Sequence, residues 1–322
     1  GSAPDAEVLA VIAQIRLGGP VAREPLRTAE YRQIVAVERE TPGELPPAAG
    51  DFFAREAVPD GGPVPKIARL VLIPKLREVR VQIGFTRLEP VMPDLEGEFD
   101  LEVQSAPLAL TQDWLPAAEV RGEGVFLQLD EAAVWDWERR PEVLAREREL
   151  QAGYRDWLGT LKGDKAPPFP GARFYLLHSL AHLLISATSL ECGYAASAIR
   201  ERIYCAPADA ETPMAAILLS TGSPGTEGTL GGLVEQGRNL GRHLRRALEL
   251  GRLCSNDPVC AGHSPQKDYS ERHLEGAACH GCLFIAESSC ERFNRYLDRS
   301  LVIPILGRPS DLAFFDPQIR LE

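Results

Sequence analysis

Long apolar runs are missing from this chain: no stretch of its 322 residues reaches the roughly 20 apolar residues that a membrane-spanning helix needs. Nucleotide-binding signatures are missing too. The glycine-rich run from Gly222 to Gly232 is not followed by Gly-Lys-Ser or Gly-Lys-Thr and lacks the dinucleotide-fold spacing, which argues against ATP or any other nucleotide cofactor. No nucleophile elbow and no acidic metal cluster stands out. The cysteines are odd in number, seven, and unevenly spaced, and no signal peptide precedes them, so a secreted disulfide framework is not expected. A reducing, cytoplasmic setting is. Positive charge is in deficit overall, at a net −11, which excludes a protein that coats nucleic acid through bulk charge. It leaves room for a local basic face.

What the chain does have is a concentration of sulfur. Five of the seven cysteines, Cys254, Cys260, Cys279, Cys282 and Cys290, fall in one short stretch. Two thiolates separated by two residues can curl around one metal from a single turn, and Cys279-His-Gly-Cys282 has that spacing, with Gly281 easing the turn. Cys290 lies within reach if the chain doubles back after Phe284 and Ile285. The fourth ligand must come from upstream: Cys260 follows the turn-forming Asp257-Pro258 and is favoured, with Cys254 as the alternate. His280, His263 and His273 are weaker candidates. A closed set of four thiolates leaves no coordination position for a reacting water, so the expected ion is a structural Zn2+. Buried free thiols are the competing reading.

Several runs around these cysteines resemble one family. Cys254-Ser-Asn-Asp-Pro-Val-Cys260, Gly276-Ala-Ala-Cys-His-Gly-Cys282, Glu287-Ser-Ser-Cys-Glu291 and Asn294-Arg-Tyr-Leu-Asp-Arg299 look like the MrfA-like, or DUF1998, zinc-binding domain, in the DrmB-type version of the DISARM phage-defence system. His178-Ser-Leu-Ala-His182, the glycine-rich run, Leu76-Arg-Glu-Val-Arg80 and Gly84-Phe-Thr-Arg87 agree with it, so the resemblance spans about residues 66–306. It implies an accessory, non-catalytic role beside a helicase-like partner in a DNA-handling complex.

The expected fold class is α+β: an N-terminal strand-containing region followed by a mostly helical zinc domain. Residues 1–65 read as two helices (6–17 and about 29–37) and a Pro/Gly-rich connector, residues 66–162 as strands (68–73, 99–103, 125–129) and a helical stretch, and residues 163–322 as the zinc domain. Lys162 to Pro170 marks the boundary. Trp135, Trp137 and Trp157 are expected as core anchors. Residues 174–190 are apolar on nearly every side and predict a buried helix closed by Gly193. His178 and His182 share one face of it. Zinc hydrolases with such a pair place a Glu beside the first His as base, but here that position is Ser179, so a hydrolase is the weaker alternative. Two buried histidines satisfied by main chain, Glu191 or Glu201 are the plain reading. A strand is expected at 214–220 and a helix at 233–250. That helix carries Arg238, Arg242, Arg245 and Arg246, a stripe suited to DNA phosphates or an acidic partner, or to no more than solvated ion pairs. Residues 287–301 predict a last helix. Arg77, Arg80 and Arg87 are candidates for partner docking, against the simpler reading of local ion pairs.

Overall fold

The structure is a computed structural model, and it describes residues 24–82, 84–86, 106–111, 114–160, 168–224, 232–266 and 272–316. The expected helix at 6–17, the strand at 99–103 and Arg87 lie outside the described residues, as does most of the expected linker.

A five-stranded antiparallel sheet organises the molecule, in the order β1-β2-β3-β5-β4. Its strands are β1 (Phe53–Ala57), β2 (Ile67–Val81), β3 (Ala117–Leu129), β4 (Ile199–Ala206) and β5 (Met214–Pro224). Side chains alternate across a strand, and both faces are covered. Val71, Ile73, Phe126, Tyr204, Ala216 and Leu218 point to one side, where Tyr31 and Ile34 of α1 (Leu26–Val35) pack on them. Leu70, Leu72, Val125, Leu127, Ile203, Ile217 and Leu219 point to the other and enter the main core. Covering both faces explains why β5 reads as a continuous apolar run.

The main core is centred on α4 (Gly171–Cys192), whose residues from Phe174 to Leu184 are all buried. With neighbours on every side there is no polar face for the helix to keep. Gly193 ends it in the left-handed conformation, at φ 75°, where a side chain would be strained. Two helices, α2 (Glu131–Glu138) and α3 (Pro141–Leu158), pack beside it, and Asp130 caps α2 by accepting the Ala133 amide at 3.0 Å. Trp137 is fully buried and donates its indole N–H to the Leu312 carbonyl at 2.8 Å. Trp157 is half-buried against the core, but Trp135 is exposed under Arg139, so the tryptophans are not all anchors.

The α+β expectation holds, with three corrections of detail. The C-terminal half supplies β4 and β5 as well as helices, and β5 pairs with β3, so one sheet runs across the expected boundary at 162–170. The expected last helix at 287–301 is a series of turns with one short 3-10 segment, Arg299–Leu301, because Phe293, Asn294 and Tyr296 all take positive φ (53–60°), which an α-helix cannot contain. The arginine-bearing helix is two, α5 (Gly232–Arg238) and α6 (Leu240–Arg252), broken at Asn239. No helix of the described residues is long and apolar enough to cross a membrane.

Candidate metal centre

Four sulfurs converge at the end of α6. The Sγ atoms of Cys254, Cys260, Cys279 and Cys282 all lie within 4.8 Å of one another, with Cys254 to Cys279 at 3.4 Å and Cys260 to Cys282 at 3.7 Å. Two tight turns deliver them. In the first, the Asp257 carboxylate accepts the amides of Cys254 at 3.0 Å and Ala261 at 3.1 Å, so both flanking sulfurs emerge on one side. In the second, the Leu283 and Phe284 amides donate to the Cys279 carbonyl and close the turn. Gly281 is needed for proximity: a Cβ there would stand 2.7 Å from Ser255 Oγ and 3.2 Å from Cys254 Sγ.

The surroundings suit thiolates. The Asn256 amide donates to Cys254 at 3.4 Å, and Cys279 receives the Gly281 amide and Asn256 Nδ2, each at 3.3 Å. Burial pushes the Cys279 thiol up, but these donors win and bring it down to about 7. Burial raises Cys254 to about 11, and sharing a proton with Cys282 raises Cys260 further. Four neighbouring anions cannot persist in such a place without a cation, and four soft donors at mutual contact are the set that zinc takes in structural sites. Arg299 adds balancing charge from behind. It is fully buried, donates to Asp257 at 2.5 Å and to the Gly251 carbonyl at 2.9 Å, and keeps its charge against burial because Cys282, Cys260 and Asp257 lie close.

Both upstream candidates, Cys260 and its alternate Cys254, therefore join the group, and Cys290 does not. The chain does not double back to the knuckle after Ile285. Asn294 clamps Ile285 instead, accepting its amide at 3.0 Å and donating to its carbonyl at 2.9 Å, and this loop carries Cys290 toward α4. His280 is exposed with its ring edge on Phe284, while His263 and His273 bond main-chain carbonyls, so none of the three joins the sulfurs.

Cys290 meets a second polar cluster. His178 and His182, one turn apart on α4, both face Glu201 of β4, with Nε2 to Oε1 distances of 2.8 and 3.3 Å, and Cys290 Sγ lies 3.2 Å from His178 Nε2. All four residues are buried. Burial works against the Glu201 charge, and only imidazoles that donate through Nε2 would hold its carboxyl below the usual carboxylate range. Of the two carboxylates named as partners for the histidines, Glu201 serves and Glu191 pairs with Arg242 instead. The reach of Glu201 was open to inference from Ile199-Arg-Glu-Arg-Ile203, where Glu takes the core-facing place between two isoleucines.

The arginine candidates divide. Arg238 is tied to Glu40 in a two-pronged pair at 2.7 and 2.9 Å, while Arg242, Arg245 and Arg246 are exposed on α6 with Arg252 beyond them. Leu240, Leu244, Ala247 and Leu248 fill the opposite, buried stripe. Arg77 bonds Asp51 and Glu119, and Arg80 bonds Glu78. Most of the glycine-rich run, residues 225–231, lies outside the described residues; at the start of α5 the buried Glu123 carboxylate accepts the Leu233 and Val234 amides at 3.1 and 3.0 Å.

Residues 180–283 match the MrfA Zn-binding domain family. The DISARM protein DrmB of Bacillus paralicheniformis is 38% identical over 283 residues, which cover 86% of this chain and 47% of that protein, so the chain spans about half of its relative. A crystal structure of the DUF1998 helicase MrfA bound to DNA is 14% identical and covers 66% of this chain and 21% of that one. Its TM-score of 0.28 is too low to carry an argument. Family and donor set agree on a structural zinc.

Proposed function

From a chain whose residues 180–283 form a zinc-binding domain of the MrfA family, we propose a non-catalytic accessory subunit of a phage-defence complex, working beside a helicase-like partner on DNA. Cys254, Cys260, Cys279 and Cys282 hold its zinc. The observation that carries this reading is the closed sulfur set: an ion with four protein thiolates has no position for substrate or water, so it braces the fold. The likeness to a DISARM protein supports the defence setting. A hydrolase on His178 and His182 lacks what it would need, since both imidazoles are fully buried and turned onto Glu201.

The DNA-facing surface in this proposal is α6. Arg242 and Arg246 do have carboxylate neighbours, Glu191 at 3.1 Å and Glu249 at 3.3 Å, but exposed pairs of this kind are worth only about 0–1 kcal/mol and yield readily to phosphate. Arg238 belongs to the scaffold through Glu40. The helicase-like partner is assigned to the far half of β2 and β3. Arg77 and Arg80 are satisfied there, yet Val79, Val81, Phe85 and Trp114 stand exposed beside them.

Titration of labelled single- and double-stranded DNA over a range of salt, with and without co-purified partner, tests the reading. Replacing Arg242 and Arg245 by Glu is expected to weaken binding by at least about 10-fold and to flatten the log K against log salt slope by about 2. Binding that ignores both salt and these arginines would make the chain a protein adaptor instead.

A further inference from the structure

We propose that His178, His182, Glu201 and Cys290 form a second metal site, distinct from the four-sulfur centre and taking a zinc-class divalent ion. One nitrogen, oxygen or sulfur atom from each residue lies within 4.8 Å of the others, and every one of the four side chains is closed off from solvent.

The direction of the hydrogen bonds carries the case. His182 Nδ1 lies 2.8 Å from the Leu283 carbonyl oxygen and His178 Nδ1 lies 3.3 Å from that of Tyr296. A carbonyl only accepts, so each Nδ1 keeps its hydrogen, and each neutral ring turns the lone pair of Nε2 inward. Both lone pairs then face one carboxylate oxygen, Glu201 Oε1, whose other oxygen has no partner among the described residues. Two lone pairs aimed at an anion in a dry interior repel unless something positive lies between them. Imidazole held by an Nδ1–H to carbonyl bond, with Nε2 turned to the ion, is how protein histidines bind metals.

Cys290 independently carries the marks of a ligand. Its sulfur receives the Arg292 amide at 3.3 Å and the Asn294 amide at 3.2 Å. The first of these comes from two residues downstream, the same arrangement that Cys254 and Cys279 show at the four-sulfur centre. Phe293 and Asn294 hold positive φ (53° and 59°), a conformation costly for residues with side chains, and in it these amides turn back onto the sulfur. At the four-sulfur centre itself Cys260 and Cys282 receive no such bond among the described residues, so the amides mark two of its four sulfurs. Two nitrogens, a thiolate and a carboxylate favour zinc over calcium or magnesium, which take oxygen. With no open position, the ion ties α4 to β4 and to the loop that follows the knuckle. The Leu283 carbonyl that orients His182 belongs to the residue directly after Cys282, so the two centres are one residue apart in sequence.

Metal analysis of the purified protein decides the matter. The expected result is two ions per chain, falling to one in Cys290→Ala, with the four-sulfur ion retained. X-ray absorption of the wild type should show nitrogen at ~2.0–2.1 Å together with sulfur at ~2.3 Å, where the four-sulfur centre alone gives only sulfur. If Cys290→Ala does not fold, the wild-type stoichiometry and spectrum stand as the test by themselves. One ion per chain with a pure sulfur shell overturns the proposal and makes the cluster a proton-shared ion pair. So does an unchanged count in a folded Cys290→Ala. Neither result touches the four-sulfur zinc, whose absence would show as loss of the sulfur shell.

Discussion

Asp298 has no contact with solvent, and its carboxylate and amide are bonded to four residues. It accepts Arg146 Nε at 2.7 Å, the Ser300 hydroxyl at 2.5 Å and the amides of Ser300 and Ala277 at 3.0 and 3.1 Å, while its own amide donates to Ser179 Oγ at 2.8 Å. Ser179 is thus a packing residue of α4, in the position where a zinc hydrolase would carry its base. Arg146 is buried with Asp298, and if Asp298 loses its charge the guanidinium keeps only Glu149 among the described carboxylates, whose side chain is largely exposed. Asp298→Asn is expected to cost about 3–5 kcal/mol in denaturant unfolding. Burial pushes the Asp298 carboxyl up, but Arg146 and Ser300 outweigh it and hold the group below its ordinary range. Its stabilisation is therefore complete above the unfolded-state value, about pH 4, and is lost as pH falls through the lower folded value. The gap between wild type and Asp298→Asn should narrow below about pH 4, and a gap that widens in acid would contradict this.

At the scale of elements, α5 shows how closely the helices sit on the sheet. A Cβ at Gly237 would stand 2.7 Å from Leu72 Cδ2 and 2.8 Å from Val125 Cγ2, side chains of β2 and β3 already fixed in the core. Gly237→Ala should therefore destabilise by about 1–3 kcal/mol, read as a lower Tm, although alanine is the better helix former. Elements with a local signal were legible in the sequence. The α4 helix announced itself by apolar residues on every side, and the pair Cys279 and Cys282 by its spacing. What depended on partners far along the chain was not legible. Strand β4 hides behind Arg200, Glu201 and Arg202, and although Ile199 and Ile203 put Glu201 on the core face, only the folded chain reveals what it meets there. Cys290 lies near the knuckle in sequence, yet the bond between Asn294 and Ile285 sends it to another site. Cys254 was hard to prefer because its place depends on the carboxylate of Asp257.

For the whole molecule, the sheet and the metal-bearing loops share one core. Leu70 and Leu127 from the strands and Leu283, Leu297 and Leu301 from the C-terminal loops belong to the same buried cluster around α4. Stripping metal with a chelator at neutral pH is accordingly expected to lower the melting temperature in a single calorimetric transition. Two separated transitions would show that the zinc-bearing part melts by itself.

The pairing of β3 with β5 bears on any attempt at dissection. Cutting the gene at the proline-rich stretch near residue 165 would leave one fragment with β3 unzipped along Val120–Gln128 and the other with β5 bared along Ala216–Pro224. Each fragment would present a raw, apolar ribbon ready to stick to its own kind, so expressing the two together is the route by which a divided chain stays in solution.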